Sequence, residues 1–179
     1  HDNMEIISIP LEGDLEHKDS MGNVTVIREG DVQVMSDGTG IFHSEYNKNP
    51  DKQVKFLQIG LFPNRKNVTP RYDQISLDPN KLQNRFHRVL SPHSEEEGVW
   101  IHQDAWFHIG QLEKGHEETY TFKKKGNGLY VFVIEGAATV ADQPLSKRDG
   151  FGIWDTQQVE IRSDQSSRLL LMEVPMQVG

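Results

Sequence analysis

The sequence has no cysteine among its 179 residues, which excludes disulfides, zinc-thiolate sites and thiol catalysis together. It has no apolar run approaching the roughly 18 residues of a membrane-spanning helix. Its visible start lacks the pattern of a secretory signal, so the cytoplasm is the expected compartment and no membrane partner is expected. A basic excess is also missing. With 19 Lys and Arg against 27 Asp and Glu, the net charge is −8, and direct attraction to nucleic-acid phosphate is not expected. The one basic cluster, Lys123-Lys124-Lys125, adjoins Gly126-Asn127-Gly128 and reads as a solvated turn.

Helical periodicity is nearly absent as well. Short alternating runs dominate, among them Glu5 to Leu11, Val32 to Met35, Val54 to Phe62, Trp106 to Leu112, Leu129 to Glu135 and Arg168 to Val174. Glycine turns such as Glu29-Gly30-Asp31 and Arg148-Asp149-Gly150 separate them, the pattern of an all-β barrel or sandwich. The segment from Asp78 to Asn84 is the only candidate for a short helix or linker. The length suits one large or two small domains.

The two halves also echo each other. Leu11-Glu12-Gly13-Asp14 resembles Ile134-Glu135-Gly136-Ala137, and Gly30 has a counterpart in Gly150, both roughly 120 residues away. Two barrels follow, with residues 1–77 in the first, 78–85 as linker and 86–179 in the second. The same offsets set His1 against Lys124 and His43 against Ser163, and no histidine follows His116. The second barrel is therefore expected to lack a metal site.

One stretch carries chemistry. In Gly38-Thr39-Gly40-Ile41-Phe42-His43-Ser44-Glu45, an imidazole and a carboxylate stand two residues apart beyond a glycine turn. On a strand they share one face, as two ligands of one metal must. The run His1-Asp2-Asn3-Met4-Glu5 similarly sets His1, Asn3 and Glu5 on one face if it is extended. Imidazole and carboxylate donors with open positions suit a redox-capable first-row ion. His17, among Glu16, Lys18 and Asp19, reads as a solvent-facing strand end, and His87, His93, His102, His108 and His116 read as structural.

The run from Met4 through Gly22-Asn23, Gly30-Asp31-Val32-Gln33-Val34-Met35-Ser36 and Thr69-Pro70-Arg71-Tyr72 resembles the pirin family, particularly its quercetinase-like bacterial members. The resemblance implies an all-β bicupin, two jelly-roll-like cupin barrels with one metal in the first. By position, the family's His-x-His pair would have its second histidine at His1, and its His-x-Glu pair falls on His43 and Glu45. The first histidine has no counterpart, so a preceding segment is expected. The resemblance makes His1, His43 and Glu45 the metal ligands. Glu5, at the glutamate position of the general cupin motif, becomes a nearby carboxylate that orients a ligand or holds a proton.

Fe(II) is the expected cofactor, with nickel, zinc, copper or manganese as substitutes in a purified sample. The implied activity is a dioxygenase opening a small aromatic substrate, a flavonol such as quercetin, with Glu45 and Glu5 as its catalytic carboxylates. The alternative is a metal-containing, redox-responsive regulatory protein without turnover, read by a protein partner.

Overall fold

The computed structural model describes residues 3–37, 43–49 and 52–176, with the side chains of residues 43–46 outside that description. The first strands are β1 (Glu5–Glu12), β2 (Leu15–Asp19), β3 (Val24–Ile27), β4 (Asp31–Ser36), β5 (His43–Asn47), β6 (Lys55–Leu61) and β7 (Arg71–Ser76). A single turn of helix, α1 (Pro79–Leu82), precedes β8 (His87–Ser91) and β9 (Val99–Trp100). Then come β10 (Trp106–Leu112), β11 (Glu117–Thr121), β12 (Asn127–Glu135), β13 (Ala137–Val140), β14 (Gln143–Ser146), β15 (Gly150–Ile153), β16 (Gln158–Ser163) and β17 (Ser167–Pro175). No helix among the described residues is long and apolar enough to cross a membrane.

The chain divides into two compact units, residues 1–77 with 92–103, and 78–91 with 104–179. The segment 92–103, placed by the sequence reading inside the second domain, thus belongs to the first unit, and α1 belongs to the second. Helix α1 starts where expected: Asp78 caps it by accepting a hydrogen bond from Asn80 N at 3.0 Å, with Pro79 following.

In the first unit, one sheet runs β6-β1-β4-β7 and the other β3-β2-β5. In the second, β15-β12-β17-β10-β8 are neighbours in one sheet and β11-β16-β13-β14 form the other. The same pairing occurs twice. β1 pairs with β4 and β6 as β12 pairs with β15 and β17, and β2 pairs with β3 and β5 as β13 pairs with β14 and β16. Even the irregularity repeats: the ladder shifts between Pro10 and Glu12 in one unit and between Val133 and Glu135 in the other.

Each unit turns from one sheet to the other at a glycine, Gly13 at φ +78° and Gly136 at φ +87°. A Cβ on Gly13 would lie 2.5 Å from the Gln53 carbonyl oxygen, and one on Gly136 would run into the Ser166 carbonyl. Only glycine tolerates both the left-handed backbone and the approach. Gly30, at φ +90°, has no atom within 4 Å of such a Cβ. Gly13→Ala should therefore lower stability by about 1–3 kcal/mol through backbone strain plus the collision. Gly30→Ala should lose less, and paired chemical denaturation curves of the two variants check the order.

Candidate metal centre

Strand β5 holds the His-x-Glu pair, as the sequence reading expected. Its backbone register with β2 sets position 43 opposite Asp19 and position 45 opposite His17. Opposed positions of an antiparallel ladder share a face. The face carrying positions 43 and 45 is therefore the face of His17 and Asp19. His1 lies outside the described residues. Among the described residues, no three His, Asp or Glu side chains gather as a metal would require.

His17 corrects one expectation. It is fully buried, 0% exposed, rather than a solvent-facing strand end. Its Nε2 lies 2.9 Å from Asp19 Oδ2, and its ring centroid is 5.1 Å from that of Tyr72 on β7, a strand of the opposite sheet. The imidazole thus sits between the two sheets of its unit. Asp19 also accepts from Met21 N at 2.9 Å, Asn23 N at 3.1 Å and Asn23 Nδ2 at 2.8 Å. Burial pushes its carboxyl pKa up, but the hydrogen bonds from His17 and the turn outweigh it and hold the group below the ordinary carboxylate value. Charged neighbours hid this histidine in the sequence; the alternation of Leu15 and His17 on one face of β2 was the signal that could have found it.

Glu5 lies elsewhere. Glu5, Ser36 and Arg71 form a row across β1, β4 and β7. Arg71 and Tyr72 are successive residues of β7 and point to opposite faces, so Glu5 occupies the face away from Tyr72 and His17. Its Oε2 accepts from the Ser36 hydroxyl and its Oε1 from His102 N at 3.0 Å. Arg71 donates to Ser36 Oγ at 3.4 Å and to the Trp100 carbonyl, with its guanidinium 3.7 Å from the Trp100 ring centroid. The expectation that Glu5 orients a metal ligand gains no support from these contacts: the carboxylate ties β1 to β4 and to segment 92–103. Asn3 at φ +52° interrupts the alternation, and the strand starts only at Glu5.

A cleft of about 590 Å³ opens on this Arg71 face, lined by Arg65, Lys66, Arg71, Trp100 and His102 among others. Burial first, then the charges of Arg65 and Arg71, push the His102 pKa down.

The second unit answers the first position by position. Both β2 and β13 begin just past their corner glycine, and Leu15 pairs with Asn47 as Ala138 pairs with Ser163. In that frame Val140 stands where the first unit has His17, Ile161 where it has Glu45, and Val159 where it has His43. The sequence offsets had set Ser163 against His43. The difference arises because connections are shorter in the second half, where Ala141 and Asp142, both at positive φ, make a two-residue turn in place of residues 20–23. Val140, Val159 and Ile161 are buried members of one core cluster. The three positions that are His17, His43 and Glu45 in one unit are thus apolar residues in the other.

The second unit keeps its own buried carboxylate, which the sequence reading missed. Glu173 accepts from Tyr120 Oη at 2.6 Å, Lys123 N at 2.9 Å and Asn127 Nδ2 at 2.9 Å, binding the 122–127 turn to β17. His108, 5.3 Å from the Tyr120 ring, has its pKa pushed down to about 3, mainly by burial, so it is a neutral packing residue.

Two sheets per unit, with one strand-pairing scheme used twice, define a bicupin. The chain belongs to the pirin family. The family description "Pirin" matches residues 1–61 and "Quercetinase C-terminal cupin domain" matches residues 88–174. Quercetin 2,3-dioxygenase of Escherichia coli strain K12 is 35% identical over 175 residues, 98% of this chain and 74% of that protein. The crystal structure of YhhW from Escherichia coli matches with a TM-score of 0.92 at 34% identity, covering 100% of this chain and 75% of that one. The structure of bacterial pirin YhhW in complex with nickel(II) matches with a TM-score of 0.90 at 34% identity, over 98% and 74% of the two chains.

Burial raises the Glu5 pKa above its ordinary 4.5, against the opposing hydrogen bonds from Ser36 and His102. An acid whose folded-state pKa is raised binds its proton more tightly in the native state, so its contribution to stability falls as pH rises through that interval. The thermal midpoint of the protein, measured relative to Glu5→Gln, should accordingly decline as pH rises above about 4.5. A difference independent of pH would contradict the shift.

Proposed function

We propose that this chain is a metal-dependent dioxygenase acting on a flavonol-type substrate such as quercetin, with His43 and Glu45 as ligands of one divalent ion and His1 as a third. The observation that carries the reading is the β2–β5 register: positions 43 and 45 share their face with a buried histidine held between the sheets, where the second unit has only Val and Ile. The 35% identity to a quercetin 2,3-dioxygenase supports the substrate class, and the nickel(II) complex of a 34% identical pirin supports a divalent metal. Imidazole and carboxylate donors without thiolate fit Fe(II), and equally admit nickel, copper, zinc or manganese in a purified sample.

When bound, the metal would supply Lewis acidity toward a phenolic hydroxyl and a means of engaging oxygen. The chain's own residues do the rest. His43 holds the ion on the strand face, and Glu45 accepts the proton that a flavonol hydroxyl gives up as it becomes a better electron donor. The second unit carries Val140, Val159 and Ile161 at the matching positions, so one metal per chain is expected. A flavonol is the proposed small-molecule partner, the cytoplasm the proposed compartment, and direct nucleic-acid binding forms no part of this reading.

His43→Ala and Glu45→Ala should each reduce bound metal from near one per chain to a small fraction, with the far-ultraviolet circular dichroism of the β fold unchanged. Elemental analysis of the purified variants decides this, and undiminished metal in both would refute the assignment. Oxygen uptake with a flavonol panel tests turnover; one metal per chain without uptake on any member would favour a regulatory role. Stripping the metal with a chelator should lower the thermal midpoint, because a ligand that binds the native state alone stabilises it.

A further inference from the structure

The cleft of about 590 Å³ on the Arg71 face carries a charge opposite to that of the molecule. The chain has 27 Asp and Glu against 19 Lys and Arg. Yet the ionisable side chains lining this cleft are Arg65, Lys66, Arg71 and His102, with no carboxylate among the described residues that line it. Glu5 is fully buried, and its two oxygens are taken by Ser36 and His102 N. Glu5 and Asp73 act on the Arg71 charge, whereas Arg65 and Lys66 are exposed and make no ion pair among the described residues. Two nitrogens of the lining are also left over. Arg71 Nε and His102 Nδ1 are buried with no hydrogen-bond partner among the described residues, although buried polar atoms nearly always find one. The first can only donate, and the second donates in one of its tautomers, so acceptor atoms are what the lining lacks.

Both sides of the cleft are held in place. The 62–70 loop is tied down by Asn64 N donating to the His102 carbonyl at 2.6 Å, Gln103 Nε2 to the Phe62 carbonyl at 2.8 Å and Asn67 N to Asn3 Oδ1 at 3.0 Å, with Val68 buried. Opposite it, the Trp100 ring centroid lies 3.7 Å from the Arg71 guanidinium, and the His102 ring meets Trp100 edge-on at 4.9 Å. We propose that this cleft is a binding site for an oxyanion, either free phosphate or the phosphate or carboxylate group of a small organic molecule. Arg and Lys are the side chains that pair most strongly with such groups. The volume falls within the roughly 300–1,000 Å³ of small-molecule sites, so an organic body has room alongside the anionic group. The site lies on the face of the β6-β1-β4-β7 sheet away from Tyr72 and His17, and it stands independently of the metal ligands proposed above.

The test is isothermal titration calorimetry of the full chain with inorganic phosphate, phenyl phosphate and benzoate, with benzyl alcohol as the uncharged control. At least one of the anions should bind saturably, and the control should not. Inorganic phosphate binding as tightly as phenyl phosphate marks the free ion as the ligand; tighter phenyl phosphate or benzoate marks an organic anion. The double change Arg65→Glu, Lys66→Glu, at two exposed positions, should leave the circular dichroism of the β fold unaltered and weaken the anion about tenfold or more through the lost charge-assisted contacts. A second readout is the His102 ring in a nuclear magnetic resonance titration. Burial and then the charges of Arg65 and Arg71 hold its pKa down, and a bound anion offsets those charges, so its titration should move to higher pH. No saturable binding of any of the anions up to about 10 mM, or an affinity that the double variant leaves unchanged, would overturn the proposal. If the double variant does not fold, Arg65→Gln and Lys66→Gln take its place singly, and wild-type affinity in both overturns it equally. Protein stripped of metal by a chelator should bind the anion as before. Binding lost on stripping would put the anion on the metal, which defeats this inference and leaves the metal assignment standing.

Discussion

The corner glycine constrains everything built after it. The strand before the corner, β1 or β12, belongs to one sheet and the strand after it, β2 or β13, to the other, so the chain must turn sharply at a point where another backbone segment already lies close. At Gly13 the obstacle is the Gln53 carbonyl, and at Gly136 it is the Ser166 carbonyl. A left-handed residue with no side chain satisfies both demands. Once the corner is fixed, the two-residue period of the strands decides which side chains enter the space between the sheets, and a slip of one residue would exchange the two faces. The position of His17 between the sheets, and of positions 43 and 45 on the same face, follows from that single turn plus the register of β2 with β5.

Two buried carboxylates serve the framework. Glu5 bridges Ser36 and the backbone of His102 within the first unit, and Glu173 gathers Tyr120, Asn127 and the 122–127 turn within the second. Each takes several donors, which is what makes a buried acid tolerable. Both lie in the sheet that contains the strand before their unit's corner glycine, β1 or β12. Positions 17, 43 and 45 lie in the other sheet of the first unit.

The all-β class, the duplication and the His43-x-Glu45 pair were legible because each has a local signature: alternation, a repeated glycine corner, a two-residue spacing. Other features were hidden by composition. β2 reads Leu-Glu-His-Lys-Asp and β7 reads Arg-Tyr-Asp-Gln-Ile-Ser, sequences polar enough to pass for loops, yet each places an interior residue among charged ones. His17 looked exposed because its neighbours are. Glu5 was read from its motif position, which says nothing of which face a strand turns inward, and Asn3 breaks the alternation on which the inference to His1 relied. The alignment of the halves went astray by a few residues at β16 because turn lengths differ, and only strand pairing restores it.

The turn after β2 is the structural feature with the widest reach. Residues 20 to 23 lie at the surface, and Asn23 looks like an ordinary polar turn residue, yet its backbone and side chain both grip the carboxylate that grips His17. Outside and inside are joined there by a chain of three side chains. Substitution tolerance at this hairpin should therefore follow the rules of a core rather than those of a loop, and sequence drift permitted at the two-residue turn of the second unit would be felt here in the middle of the barrel.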